Sequence, residues 1–315
     1  MEFNKPRYSL TYLKYDIKYF LNNIKYYLKF RFSSVKKRNV LYFVFEPDKT
    51  HPGLADRMKA IVSLYNIAKK NRYKLKIYFE TPFCLNEYLK PKKDWLLDLS
   101  ELEYSLYDTK ILNECNWHRI GKLKENKQYH CYNYAGNDMP WQFTDSGYKW
   151  ADLYNELFEP SEKLRESIEE LHIVKPYIAV QLRFVNALER FENTFFDNYL
   201  ETQGQRDALI KKCKDGIKAI IDENPKTPVY IFSDSKVFLD SLNDLDVIVL
   251  NHDSLAHSGN DTNVDGQMKT FIDLLVMSHA DKIYRIRAKE LYNLSCFALL
   301  AARMGDVIFI DRDLN

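Results

Sequence analysis

Residues 39–70 read NVLYFVFEPDKTHPGLADRMKAIVSLYNIAKK, and this stretch decides the fold. The apolar run after Asn39 has the length and aromatic, β-branched content of a buried strand. A loop containing Pro and Gly follows, and from Leu54 to Asn71 apolar residues recur at helical spacing. A buried strand joined by a turn to an amphipathic helix predicts the first unit of an α/β fold.

The same alternation continues along the chain. Further strands are predicted in the first half at 74–80 and from about 129, and a helix at about Pro160 or Ser161, where EPSEKL supplies Pro and cap signals. Strands in the second half are predicted at 176–182, 228–234, 247–251, 282–286 and 307–311. Helices are predicted between them at 205–222, 236–242, 266–280 and 292–304. This succession predicts a doubly wound parallel sheet, with domains at 39–174 and 175–315 after a basic segment at 1–38.

Composition narrows the class of protein. The chain has 315 residues, of which 46% are hydrophobic and 29% charged, as expected for a globular protein of about two domains. Its five cysteines include no C-x-x-C pair, which argues against a disulfide framework or zinc ribbon and favours a reducing compartment. No apolar run approaches the roughly 18 residues of a membrane span, and no secretory signal is evident. We therefore expect a cytoplasmic protein.

The basic segment stands apart from the rest of the chain. Residues 1–38 carry ten Lys or Arg against Glu2 and Asp16, a charge of +8, which leaves −6 for the remainder of a chain whose total is +2. Apolar and aromatic residues recur within it at helical spacing, so it predicts a basic amphipathic helix. Such a helix lies on an anionic membrane surface or docks on protein, and both interpretations remain open. Nucleic acid is a weaker alternative, because no recognised nucleic-acid motif occurs, and we expect none to bind.

Polar side chains gather where the predicted strands of the second half end. Parallel strands place these carboxyl ends at one edge of the sheet, where doubly wound folds bind ligands. The alternative explanation for this group of polar residues is that strand ends are generally polar, whether or not they bind a ligand. The residues are Gln181, Arg183, Ser233, Asp234, Asn251, His252, Arg285 and Arg287.

Four segments, in order along about residues 39–305, also carry motifs of a known family. PGLADRMK matches the motif G-L-G-N-R at Gly53, Leu54 and Arg57, with Ala55 and Asp56 in place of Gly and Asn. IAVQLRFVN matches H-x-R-R-G-D/N at Arg183 and Asn186, with Gln181 in place of His and Phe184 in place of the second Arg. VYIFSDS matches a strand ending in S-D-D or S-D-S. The final segment, residues 268–305, matches D-x-x-x-L-S-x-A/C-D and S-x-F-x-x-x-A at Asp273, Ser278, Asp281 and Ser295.

Together these segments resemble the fucosyltransferase superfamily of α-1,2-, α-1,6-, nodulation and protein O-fucosyltransferases. The resemblance implies a GT-B-like fold, in which two Rossmann-like domains face each other across a cleft, the first binding the acceptor and the second the nucleotide sugar. It also implies that Asp273 holds guanine and that Ser295 binds phosphate. Asp273 as a helix-surface carboxylate is the alternative. The candidate donor-binding residues are Gly53, Gln181, Asn186, Ser233, Asp234, Asp273 and Ser295.

Sugar transfer from a nucleoside diphosphate builds negative charge on the departing phosphate. Arg183 is the candidate cation, because a guanidinium makes bidentate, permanently charged contacts, and Arg57 is a second candidate. A surface Arg57 and a helix-capping Asp56 are the alternatives. Glu189, from a loop that also holds Glu192 and Asp197, is the candidate general base. No D-x-D lies in a suitable turn, so we expect no metal and no cofactor beyond the GDP-sugar donor.

Together with these residues, the resemblance implies an inverting, metal-independent glycosyltransferase. The expected reaction moves fucose from GDP-fucose to a glycan or lipid-linked glycan in surface polysaccharide synthesis, at the cytoplasmic face of the membrane. Two alternatives remain open: a transferase of the same fold using another nucleotide sugar, or a noncatalytic relative that binds a glycan or a partner protein. The departures at Ala55, Asp56, Gln181 and Phe184 support the second.

Overall fold

The computed structural model of the chain describes residues 21, 24, 26–28, 38–47, 53–113, 123–132, 139–143, 147–190, 196–250 and 264–314. Its strands are β1 (Val40–Val44), β2 (Lys74–Tyr78), β3 (Leu89–Pro91), β4 (Thr109–Asn113), β5 (Gln128–Tyr132), β6 (Phe158–Pro160), β7 (Ile178–Leu182), β8 (Val229–Ser233), β9 (Ile248–Val249), β10 (Lys282–Arg287) and β11 (Ile308–Asp313). Its helices are α1 (Leu54–Lys70), α2 (Leu85–Tyr88), α3 (Trp150–Leu157), α4 (Glu162–Glu169), α5 (Gln203–Glu223), α6 (Lys236–Asp240), α7 (Val264–Ser278) and α8 (Phe297–Gly305), with a 3-10 turn at Leu99–Glu101.

The first half builds a parallel four-stranded sheet in the order β2-β1-β5-β4. All five residues of β1 are buried, because helix α1 covers one face of the sheet and a cluster of tyrosines covers the other. The strand–turn–helix unit predicted from residues 39–70 is present, and α1 begins directly after Gly53.

The tyrosine face includes two residues of the basic segment, Tyr26 and Tyr27. The Tyr26 ring is fully buried, stacks on Tyr132 at 4.2 Å between centroids, and its hydroxyl donates to Glu46 at 2.8 Å. The neighbouring Tyr27 hydroxyl donates to the carbonyl of Thr109 at 3.2 Å. Tyr26 and Tyr27 therefore dock on the protein itself, which is one of the two interpretations left open for the basic segment. Most of residues 1–38 lie outside the described residues, so membrane contact by that segment stays a prediction.

The second half builds a parallel five-stranded sheet in the order β11-β10-β7-β8-β9. Alternate residues of β7 point to opposite faces, so Val180 packs in the core beneath α5 while Ala179 packs in the core with α7 and α8. Every strand predicted for this half is present, although β9 is shorter than the predicted 247–251. This is the doubly wound sheet that the sequence predicts.

One apolar core joins the two halves. Phe271 of α7 stacks on Tyr88 of the first half at 4.6 Å and meets the Phe83 ring edge-on at 5.6 Å. The Tyr88 hydroxyl donates to Gln267 at 3.0 Å. The core is therefore continuous across the predicted domain boundary near Lys175, and that boundary stays a prediction. In the described part of the chain, no helix is both long enough and apolar enough to cross a bilayer.

The start of the last helix is corrected by the structure. The sequence predicts a start at residue 292, but α8 begins at Phe297. The preceding residues form turns, because Leu291 N–H and the Asn293 side chain both donate to the carbonyl of Ala288. In addition, Tyr292 N–H donates to the carbonyl of Arg183 at 2.9 Å. These bonds hold the turns against the end of β7.

Gly305, the last residue of α8, permits a close approach to α7. A Cβ at this position would lie 1.8 Å from the carbonyl oxygen of Ser278, a distance that no side chain accommodates without moving backbone. We expect Gly305→Ala to destabilise the protein by about 2–3 kcal/mol, measured by denaturant unfolding. Gly204→Ala is the matched control, because no atom lies within 4 Å of its Cβ position near the start of α5. Equal stability of the two variants would contradict this packing.

Candidate active site

The carboxyl ends of β7 and β8 and the start of α1 meet at a cavity of about 230 Å³. The first half contributes the turn that starts α1, and the second half contributes strand ends, one face of α7 and the turns before α8. Seven of the ten predicted site residues line this cavity: Gly53, Gln181, Arg183, Ser233, Asp234, Asp273 and Ser295. The roles proposed for them from the sequence stay predictions, but strand order accounts for the shared location of Gln181, Arg183, Ser233 and Asp234 at the carboxyl ends of two adjacent parallel strands.

Arg183 is held in place by Asp234. A guanidinium nitrogen lies 3.2 Å from the Asp234 carboxylate, which also accepts the backbone N–H groups of Phe184 at 2.8 Å and Val185 at 2.7 Å. Val185 has φ of 57°, a rare conformation for a β-branched residue, and these two hydrogen bonds secure it. Asp234 therefore braces the turn that carries Arg183. It does not cap α6, because Ser235 accepts the Phe238 N–H there.

Two of the residues that line the cavity carry a buried oxygen atom with no hydrogen-bond partner among the described residues. These atoms are Oε1 of Gln181 and Oδ1 of Asp273, on residues only 4% and 7% exposed. The other Asp273 oxygen accepts Lys269 Nζ from one turn earlier on α7. Leaving a buried acceptor unsatisfied costs about 1–3 kcal/mol, so a ligand with N–H or O–H donors is expected to bind them.

Asp56 supplies a carboxylate from the opposite wall. It lies in the first turn of α1, and its oxygen is 3.4 Å from Lys59 Nζ, longer than a strong charge-assisted hydrogen bond. Burial raises the pKa of the Asp56 carboxyl, and Lys59 opposes this. Burial also raises the pKa of the Cys296 thiol, and the charge of Asp56 adds to that rise. Asp56 thus faces the segment that leads into α8.

Arg57 points the other way. It is fully buried, its guanidinium lies 4.6 Å from the Phe79 ring centroid, and it donates to the carbonyl of Thr81 at 3.2 Å. Burial lowers the pKa of Arg57 to about 9. The alternative of a solvated surface arginine is wrong. Arg57 does not line the cavity, so its catalytic role stays a prediction that this placement does not support.

Two further candidates, Glu189 and Asn186, make hydrogen bonds with residues outside the cavity lining. The Glu189 carboxylate accepts Ser235 Oγ at 2.8 Å and Val237 N–H at 3.2 Å, so it holds the start of α6. Asn186 is buried, and its N–H donates to Asn198 at 3.1 Å. Neither residue lines the cavity, and the roles assigned to them stay predictions. Glu192, Asn251 and His252 lie outside the described residues.

Arg285 and Lys269 are two further cations associated with the cavity. Arg285 pairs with Asp311 at 2.6 Å and donates to the carbonyl of Ser295 at 2.5 Å, which fixes the segment entering α8. Lys269 lines the cavity and was missed by sequence reasoning, although a Lys and an Asp four residues apart on one helix was the available signal. Within the described ranges, no three His, Cys, Asp or Glu residues cluster as metal ligands.

Comparison with known proteins confirms the GT-B-like fold. NodZ α-1,6-fucosyltransferase soaked with GDP-fucose matches with a TM-score of 0.54 and 13% identity, over 85% of this chain and 93% of that one. Fucosyltransferase NodZ from Bradyrhizobium matches with a TM-score of 0.54 and 12% identity, over 88% and 94%. A mutant of Arabidopsis thaliana FUT1 in complex with GDP matches with a TM-score of 0.52 and 12% identity, over 93% and 74%. No family model and no curated protein matches the sequence. The chain therefore has the fold of these fucosyltransferases.

Proposed function

We propose that this protein transfers fucose from GDP-fucose to a hydroxyl group of a glycan. The observation that carries the proposal is the cavity itself, whose lining includes the braced Arg183 cation together with Gln181 and Asp273, each of which has a buried, unsatisfied oxygen among the described residues. A nucleoside diphosphate offers the matching groups, namely phosphate charge and base N–H donors. Structures that share the fold contain GDP or GDP-fucose, which supports this donor.

Asp273 is the proposed contact for the base. Guanine carries two adjacent donors on one edge, N1–H and the N2 amino group, and a carboxylate accepts such a pair. Asp273 Oδ1 is buried and free to accept, while Lys269 neutralises Oδ2. Lys269 also lines the cavity, where its ammonium suits the guanine O6 acceptor.

Arg183 is the proposed catalytic cation. As the bond between the sugar C1 and the β-phosphate oxygen breaks, its electron pair moves to the phosphate, and Arg183 meets that charge. This arrangement supports transfer without a divalent metal, because a fixed guanidinium supplies the positive charge. Excess EDTA should then leave the rate unchanged.

Asp56 is the proposed general base for the acceptor hydroxyl. Among the described carboxylates that line the cavity, Asp234 braces the β7 turn and Asp273 pairs with Lys269, whereas Asp56 makes only the long contact with Lys59. Asp56 also comes from the wall opposite Arg183. The acceptor oxygen would bond to C1 from the side away from the departing phosphate, giving inversion, while its proton passes to Asp56.

A panel of nucleotides tests the donor assignment. We expect GDP to raise the melting temperature by several degrees without added metal, because a ligand at a hundredfold its dissociation constant stabilises the native state by about 2.7 kcal/mol. UDP, ADP and CMP should have little effect, and Arg183→Ala should remove most of the GDP effect. Preference for UDP would retain a transferase and change the sugar. No shift with any nucleotide would favour a noncatalytic glycan-binding protein.

A further inference from the structure

A basic edge lies on the first sheet, opposite the cavity. In parallel strands all amino ends meet at one edge, and backbone hydrogen bonds tie these ends together, from Lys74 to Asn39 and from Asn39 to Lys127. Among the described residues, six cations occur here, either exposed or half-buried: Arg38, Arg72, Lys74, Lys110, Lys124 and Lys127. Across four strands they span about 14 Å at the usual strand spacing.

Carboxylates on the described part of this edge are fewer. Asp108 pairs with Arg38 at 2.7 Å, Glu125 is exposed, and Glu103 is buried. The excess of positive charge is therefore local and does not follow from the chain as a whole, whose net charge is only +2. We call the six cations and the turn at 106–108 the basic edge.

The turn at 106–108 adds an apolar tip. Leu106 is 73% exposed and Tyr107 is 79% exposed, although both are large hydrophobic residues. Lys127 Nζ donates to the Tyr107 carbonyl at 2.5 Å and lies 4.1 Å from the Tyr107 ring centroid. An exposed Leu–Tyr pair beside lysines has the chemistry of a membrane-interface anchor, in which the apolar tip enters the headgroup boundary and cations meet anionic lipid.

The basic segment joins the protein at this same edge. Arg38 ends the segment of residues 1–38, whose charge is +8, and immediately precedes β1. Continuity of charge from that segment onto the edge favours one extended anionic partner. The exposed Leu106 favours a bilayer over a nucleic acid, because a leucine side chain enters the boundary between headgroups and acyl chains, whereas nucleic acid is bound mainly through phosphate charge and base stacking on aromatic rings.

We propose that the basic edge docks the protein on an anionic phospholipid bilayer. The lysines and arginines lie against the headgroups, and Leu106 and Tyr107 enter the boundary between headgroups and acyl chains. The cavity lies at the other edge of the sheet, so this contact leaves the site open. The proposal is independent of the donor nucleotide.

Flotation of the full-length protein with vesicles tests it. We expect binding to phosphatidylcholine vesicles containing a quarter phosphatidylglycerol at 0.15 M salt, none to phosphatidylcholine alone, and loss at 0.5 M salt, where charges are screened. Lys74→Glu with Lys124→Glu should weaken binding at least tenfold, because each lysine beside an anionic surface strengthens binding several-fold. Leu106→Ser with Tyr107→Ser should weaken it about fivefold or more.

Lys163→Glu with Lys218→Glu is the matched control, since it makes the same charge change at exposed positions away from this edge. Its binding should fall far less than that of the edge variant, and all variants should keep the wild-type melting temperature. Equal loss in the control, or equal binding to neutral vesicles, would overturn the proposal. An unaffected tip variant together with stronger binding to a single-stranded oligonucleotide would replace the bilayer with nucleic acid.

Discussion

Replacing Arg183 by alanine should lower kcat/KM for GDP-fucose by about 10³-fold. The expected loss is large because the departing phosphate would lose its fixed cation, and removing one such group costs about 10²- to 10³-fold in rate. Arg183→Lys should recover part of the activity, since lysine keeps the charge and loses the planar, bidentate contact. The measurement is steady-state kinetics with detection of the fucosylated product.

Stability separates this effect from misfolding. Asp234 keeps its two backbone hydrogen bonds when Arg183 is removed, so the melting temperature should change little. Arg165→Ala is the matched control, because Arg165 is an exposed arginine on α4 and lies outside the cavity. If Arg183→Ala unfolded the protein, Arg183 would be a structural residue, and if the folded variant transferred fucose at the wild-type rate, Arg183 would not be the catalytic cation.

Asp56→Asn should lower the rate of transfer by about 10²-fold or more while leaving GDP binding intact. The amide has nearly the same shape but cannot take the acceptor proton, and general base catalysis is worth about 10²- to 10⁴-fold. In wild type the rate should fall as the pH drops through the pKa of Asp56, which burial raises above its ordinary value. The variant should lose this acidic limb. Asp152→Asn, at an exposed first-turn position of α3, should retain both rate and pH profile.

The same substitution should not weaken the fold. A carboxyl whose pKa is raised in the folded state stabilises that state below its unfolded pKa, and the contribution disappears as the pH rises through the folded pKa. At pH 8 the buried charge is therefore unfavourable, and asparagine should maintain or raise the melting temperature. Loss of both rate and stability would contradict a role as base and indicate a structural residue.

Local signals were sufficient to predict most of the second half. Its strands are buried apolar runs bounded by clear helix signals, such as the capping box of Thr202 and Gln205 at the start of α5. The local signals of the first half are weaker. Strand β4 has the sequence TKILN, and Lys149, the residue before α3, makes no side-chain cap hydrogen bond. These elements were missed because tertiary packing decides them, as when Tyr27 binds the carbonyl of Thr109 on β4.

For the candidate site, the sequence predicts the location of only those residues that lie at strand ends, because strand order alone places them. Gln181, Arg183, Ser233 and Asp234 reach one edge because their strands are parallel and adjacent. Helix rotation decides the rest: Asp56 and Arg57 are consecutive, yet about 100° apart around α1, so one faces the cavity and the other the aromatic core. Glu189 is kept out of the cavity lining for another reason. Its carboxylate accepts two hydrogen bonds at the start of α6, and sequence spacing does not reveal these donors.

The contacts of Phe271 with Tyr88 and Phe83 set how the cavity responds to its ligand. Because these rings join the halves in one core, the walls are held at their separation before any donor arrives. Binding would then require no swing of one half against the other, and the entropy lost on association would come mainly from the nucleotide sugar. The heat capacity change on binding should match the apolar surface of the ligand and cavity alone.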